Sequence, residues 1–127
     1  MIKNFTDLEV YKESRQLRIS ISVLVKTKFP IEEKYKLADQ VLRSSRSLTA
    51  NLAEGFGRFY YKENIQYCRI SRGSLNETLE HLITAFDEKY MNEDELMNFK
   101  TKIDSCGRLL NGYINHLRKT QKPREED

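Results

Sequence analysis

Apolar residues recur three and four positions apart along nearly the whole chain, interrupted by three short joints. Val10, Ser14, Leu17, Ile21 and Leu24 open the series, and that spacing puts all five on one face of a helix. A second stripe runs Leu37, Val41, Ser44, Leu48 and Asn51. A third runs Cys68, Ser71, Leu75, Leu79, Leu82 and Phe86. The fourth, Leu96, Phe99, Ile103, Cys106, Leu110, Tyr113 and Leu117, keeps the alternation longest and indicates coiled-coil-like packing. Four helices linked by a few residues predict an all-α fold, an antiparallel up-down-up-down four-helix bundle. It spans residues 5–119, and the polar stretch 120–127 is expected to fray.

Local signals place the boundaries. Thr6 and Glu9 have capping-box spacing, with Phe5 and Val10 as a hydrophobic staple. Phe29-Pro30 ends the first helix, since the residue before proline is pushed out of the α region. Glu32 and Glu33 suit the first turn of the second helix, where carboxylates meet exposed amides. Gly55 and Gly57 are expected to end it through left-handed backbone. The third helix begins near Tyr61. Asn92, with Glu95 three residues on, caps the fourth.

With five Gly, two Pro and no Trp in 127 residues, composition supports long helices and few loops. The beginning of the chain lacks the apolar run of a signal peptide, and the apolar stretch from Ile19 to Val25 is too short to span a bilayer. Cys68 and Cys106 belong to no CxxC pair. A cytoplasmic, reducing setting and no membrane partner are expected. Around a turn at Asn92, Cys68 lies 24 residues before and Cys106 14 after. Their ten-residue offset is about 15 Å, too far for a disulfide, so both are expected to be free.

The formal net charge is +3, and its distribution says more than its sum. Residues 77–95 hold seven acids against Lys89. Arg43, Arg46, Arg58, Lys62, Arg69 and Arg72 face only Glu54 and Glu63, and Arg108, Arg118, Lys119, Lys122 and Arg124 follow without an acid. An antiparallel topology is expected to gather these bases at or toward one end. Arg forks bidentately to phosphate, and Tyr60, Tyr61 and Tyr67 among them suit stacking on unpaired bases. The same pattern also suits solvated faces and inter-subunit ion pairs; both readings stand.

Catalytic and metal chemistry find little support. Glu77, Glu80 and His81 share one turn, but a di-metal carboxylate site needs Glu-x-x-His from two helices. No serine sits on a nucleophile elbow. No catalytic residue, metal or cofactor is therefore expected. Asn51, Glu54 and Arg58, grouped with Gly73, Ser74 and Glu77, are expected to form a structural corner network, since polar groups near a core need partners; a ligand site is the other reading. Gly73 in mid-helix implies a neighbour that needs the space.

Asn51-Leu-Ala-Glu54-Gly55-Phe-Gly57-Arg58 resembles the Asn-Ile-Ala-Glu-Gly-x-Gly-Arg signature of the bacterial four-helix-bundle proteins encoded in 23S ribosomal RNA intervening sequences, relatives of the accessory variability determinant of diversity-generating retroelements. Phe5-x-x-Leu8-x-Val10, Phe29-Pro30, Glu33-x-Tyr35-x-Leu37, Gln40-x-x-Arg43 and Gly73-Ser74-Leu75-x-Glu77 extend the resemblance over residues 5–117. Ser45 and Ser71 depart from it, standing where Ala is expected. The resemblance implies a ring-like homopentamer with a non-enzymatic role, nucleic-acid or ribonucleoprotein binding being proposed for some members of the family. The expected function is thus a homo-oligomeric adaptor that binds RNA or DNA through Arg43, Arg46, Arg58, Lys62, Arg69, Arg72, Arg118 and Lys119. The alternative is a self-assembling scaffold that recruits a protein partner such as a reverse transcriptase. Ile19 and Val23, facing away from the first stripe, favour self-assembly in either case.

Overall fold

The computed structural model describes residues 1–120. The expected fraying of the tail, along with Lys122 and Arg124, lies outside them from residue 121 onward. Helix α1 spans Glu9–Lys28, α2 Leu37–Phe56, α3 Tyr61–Asp87 and α4 Glu93–Thr120. No strand occurs among the described residues, so the fold is all-α, as the periodicity predicts.

The helix ends correct three details. Thr6 and Glu9 form no capping box. The box lies earlier: the Asn4 side chain accepts from the Thr6 amide at 3.0 Å, and Asp7 accepts from the amides of Lys3 and Asn4 at 2.9 and 3.0 Å. It starts a one-turn 3-10 helix, Phe5–Asp7, after which α1 begins uncapped. Glu32 and Glu33 belong to a 3-10 turn, Ile31–Glu33, ahead of α2, although Glu33 still accepts from the first amide of α2, Leu37, at 3.4 Å. Glu33 is engaged across the joint, where its carboxylate accepts from the Tyr90 hydroxyl at 2.8 Å. Gly57 caps α2 with φ of −74°, an ordinary right-handed value, so no left-handed glycine is used. The Asn92–Glu95 cap forms as expected, with reciprocal bonds of 2.8 and 3.0 Å.

Each helix packs on its neighbours in sequence and α1 closes onto α4, while the diagonal pairs do not meet. That is the up-down-up-down bundle. Leu17, Ile21, Val41, Leu48, Leu82 and Ile103 centre one apolar cluster. Leu8, Val10, Leu52, Ile65, Cys68, Leu110, Ile114 and Leu117 form a second, nearer the α2–α3 joint. In the second stripe Leu52, fully buried, takes the core position, and Asn51 sits half-buried beside it.

The closest pair is α2 with α3, and small residues line it. The Thr78 hydroxyl lies 2.8 Å from Ser44 Oγ, the Ser47 and Ser74 hydroxyls are 2.8 Å apart, and Ser71 donates to the Leu48 carbonyl at 2.9 Å. At the joint end Gly55 meets Asn64 so closely that a Cβ there would stand 2.6 Å from Asn64 Oδ1 and 2.8 Å from Tyr67 Cβ. Gly73 is the converse. A Cβ there meets nothing within 4 Å, so the close neighbour that its mid-helix position implied does not exist within the described residues; Ser74 is the residue turned to the seam.

Two glycines therefore respond oppositely to the same change. Gly55→Ala is expected to cost about 1–3 kcal/mol through overpacking, whereas Gly73→Ala gains up to about 1 kcal/mol of helix propensity. Lys89, at φ 67°, occupies the left-handed position after α3, with the Lys89 and Tyr90 amides bonded back to Phe86 and Ala85. Lys89→Gly should add about 1 kcal/mol by removing the Cβ penalty. Chemical denaturation of the three variants checks all three signs; a stable Gly55→Ala protein would show that the seam is looser than described.

Candidate nucleic-acid interface

The expected corner network divides in two. At the α2–α3 joint, Arg58 Nη2 donates to Glu54 Oε1 at 2.7 Å and to the Tyr67 hydroxyl at 2.6 Å, and its Nη1 lies 3.9 Å from Glu63. The guanidinium also covers the Tyr67 ring, 4.8 Å from its centroid. Its pKa is raised, first by Tyr67 and then by Glu54 and Glu63, against the opposing effect of burial. Helical spacing of four supplies Glu54, and the short joint folds α3 back so that Tyr67 and Glu63 reach the same group. Asn51 belongs to a separate set farther along the seam, donating to the Ser47 carbonyl and hydroxyl at 2.9 and 3.0 Å, and through Ser47 it reaches Ser74. Gly73 touches neither set. Glu77 faces His81 instead, at 3.7 Å.

The bases are not gathered at one end as expected. Arg43 stands six residues into α2, about 9 Å from its start and nearer the opposite end, and it pairs with Asp39 at 3.0 Å. Arg46 is exposed one turn before Thr49, which bonds Arg18 of α1 at 2.8 Å; it therefore flanks α1, away from α3. Arg58 is held in the corner. Tyr67 is engaged by Arg58, and Tyr61 is half-buried against the second core cluster, so neither ring is offered to a base.

The remaining bases do converge. The α3–α4 register is set by Arg72, which donates to Asn111 Oδ1 at 3.2 Å, and by Gly107 facing Leu75. That register puts Arg118 and Lys119 beside the first turns of α3, where Lys62 stands, with Arg69 and Arg72 farther along. Arg108 joins them from α4. No carboxylate occurs from residue 64 to 76 of α3 or from 105 to 119 of α4. Lys62, Arg69 and Lys119 are exposed and make no ion pair with the described residues. Asn111, which holds Arg72, was not singled out by spacing. Neither was Asn64, 2% exposed, whose amide donates to the Tyr113 hydroxyl at 3.0 Å; its place one turn before Cys68 was the available signal.

The structure is thus a helical bundle with an exposed cationic stretch on its α3–α4 face and a hydrogen-bonded polar seam between α2 and α3. The family model for the 23S rRNA-intervening sequence protein matches residues 6–112, and the chain belongs to that family. No functionally curated protein matches it. Among solved structures it is similar to a protein of unknown function from the S23 ribosomal protein family of Bacteroides thetaiotaomicron. That similarity has 22% identity and a TM-score of 0.76, covering 84% of this chain and 95% of the other; at that identity it speaks for the fold. No helix among the described residues is long and apolar enough to cross a membrane.

Cys68 and Cys106 are free and buried. Burial pushes the Cys68 thiol up to about 12, and its sulfur lies 3.6 Å from Asn64 Oδ1 as donor. Burial also raises Cys106, opposed by the neighbouring Ser14 hydroxyl. The Tyr90 hydroxyl rises to about 12, chiefly through its bond to Glu33. In each case folding favours the protonated form, so this stability is complete below the ordinary thiol value of 9.0 and is lost as pH rises toward about 12. Native protein should resist iodoacetamide below that lower value and react on unfolding, and urea midpoints should fall across the same window. Fast native alkylation would contradict the burial of both thiols.

Proposed function

We propose that this protein is a non-enzymatic, cytoplasmic homo-oligomeric adaptor, most simply a pentameric ring, that binds RNA or DNA through the α3–α4 bases Lys62, Arg69, Arg72, Arg118 and Lys119. The observation that carries this reading is the carboxylate-free half of the α3–α4 face. By contrast, Arg43 is answered by Asp39, and Arg58 by Glu54 and Glu63. Cations without such partners keep their charge for a polyanion, whose counterions they release on binding. Repetition around a ring would multiply weak contacts.

A scaffold that recruits a protein partner such as a reverse transcriptase, without nucleic acid, is the second reading. Ile19 and Val23 on α1, 38% and 54% exposed, and Ile70 on α3, 46% exposed, favour the self-assembly that both readings share.

Charge reversal separates the two. Arg69→Glu, Arg72→Glu and Arg118→Glu together should abolish RNA and DNA binding while helicity stays intact. Milder Ala replacements should lower the slope of affinity against salt by about 2–3. If the wild type binds neither polymer at low salt, or if the triple reversal leaves affinity unchanged, the scaffold reading replaces this one. A monomer by light scattering at micromolar concentration would remove the oligomer from both.

A further inference from the structure

We infer that the nucleic acid taken by this surface is single-stranded, and that Phe59 and Tyr60 form the platform on which its bases stack. The inference rests on the proposed nucleic-acid reading and assigns it a substrate class.

The α2–α3 joint leaves both rings in water, Phe59 43% and Tyr60 53% exposed. They meet edge to face, with centroids 4.8 Å apart and planes at 89°. The other two close aromatic pairs among the described residues behave differently. Phe5 with Tyr11 and Phe29 with Tyr90 are each packed against an apolar cluster. A joint needs no aromatic residue for its turn, and rings of this size ordinarily bury most of their surface. The edge-to-face contact holds one ring against the other while about half of each stays accessible to solvent.

The electrostatic setting selects the occupant. The two carboxylates nearest in sequence, Glu54 and Glu63, are engaged by Arg58. Lys62 follows two residues after Tyr60, Arg118 and Lys119 lie level with the first turns of α3, and Arg69 and Arg72 continue along it. From Lys62 to Arg72 the bases span about 15 Å of helix axis. A stacking surface at the head of a helix that carries a row of cations suits a strand whose bases are splayed and whose phosphates track the row. A duplex presents its phosphates but hides its base faces, so it gains from the cations alone.

The test is fluorescence anisotropy at low salt with labelled oligo(U) of about twenty nucleotides, used alone or annealed to oligo(A), against the full-length protein. Wild type should bind the single strand at least about tenfold more tightly than the duplex. Phe59→Ala and Tyr60→Ala should each weaken single-strand binding by about tenfold or more and leave the duplex unaffected. Tyr60→Phe should bind as wild type, and because both rings are exposed, circular dichroism and melting should be unchanged in all three. If wild type binds single strand and duplex alike, or if the Ala variants keep full single-strand affinity, the stacking inference is overturned while the cationic reading stands. Loss of anionic-vesicle binding in the Ala variants, with nucleic-acid affinity kept, would overturn it in favour of a lipid surface. Failure of wild type to bind either nucleic acid overturns the reading beneath it.

Discussion

The seam between α2 and α3 is the constraint on which the rest of the bundle depends. Apolar stripes drive the four helices together, but burial of apolar surface is non-directional and tolerates sliding. Hydroxyls do not. Ser71 reaches the Leu48 carbonyl, Thr78 meets Ser44, and Ser47 meets Ser74. A slip of one turn would break all three contacts and leave the Ser71 hydroxyl, whose hydrogen bond crosses the seam, buried and unpaired at about 1–3 kcal/mol. Small residues at these positions let the two axes approach, and Gly55 against Asn64 marks the tightest point. With α2 and α3 in register, the joint residues 57–60 are held at one end, and Asn64 is placed to receive Tyr113 from α4.

From that register the charge pattern follows. The same helical reversal that brings Tyr67 and Glu63 to Arg58 consumes one arginine in the corner. Paired arginines on open helix surface add little to stability, so Arg43 with Asp39 reads as a solvated pair. Two bases of the α3–α4 face are held by amides: Arg72 meets Asn111 and Arg118 meets Asn115. An amide positions a guanidinium without neutralising it, which leaves the field of that face positive.

The corner motif itself has a physical meaning apart from any ligand. In Asn51-Leu-Ala-Glu54-Gly55-Phe-Gly57-Arg58 the glycine at 55 is required for closeness and the one at 57 caps α2 in right-handed backbone. Glu54 and Arg58 brace the turn, and Asn51 ties back to Ser47. The motif is thus a device for folding one helix tightly onto the next. It leaves the two residues that follow it, Phe59 and Tyr60, projecting from the end of the molecule.

Periodicity by itself determined four helices, most of their core positions, the stop at Pro30 and the cap at Asn92, because these depend on residues within a turn or two of one another. It also put Glu54 within reach of Arg58 and kept the two thiols apart. Only the tertiary structure decided which cations remain available. Arg43 pairs locally, Arg58 is claimed by residues from two helices, and Arg72 finds its amide 39 residues away. The fate of each tyrosine was equally illegible, since Tyr60, Tyr61 and Tyr67 share one short stretch yet end exposed, half-buried in the core and bound to Arg58. Helical spacing specifies which direction a side chain leaves its own helix. What it meets there is set by the register of the neighbouring helix, and that register comes from contacts between residues far apart in the chain.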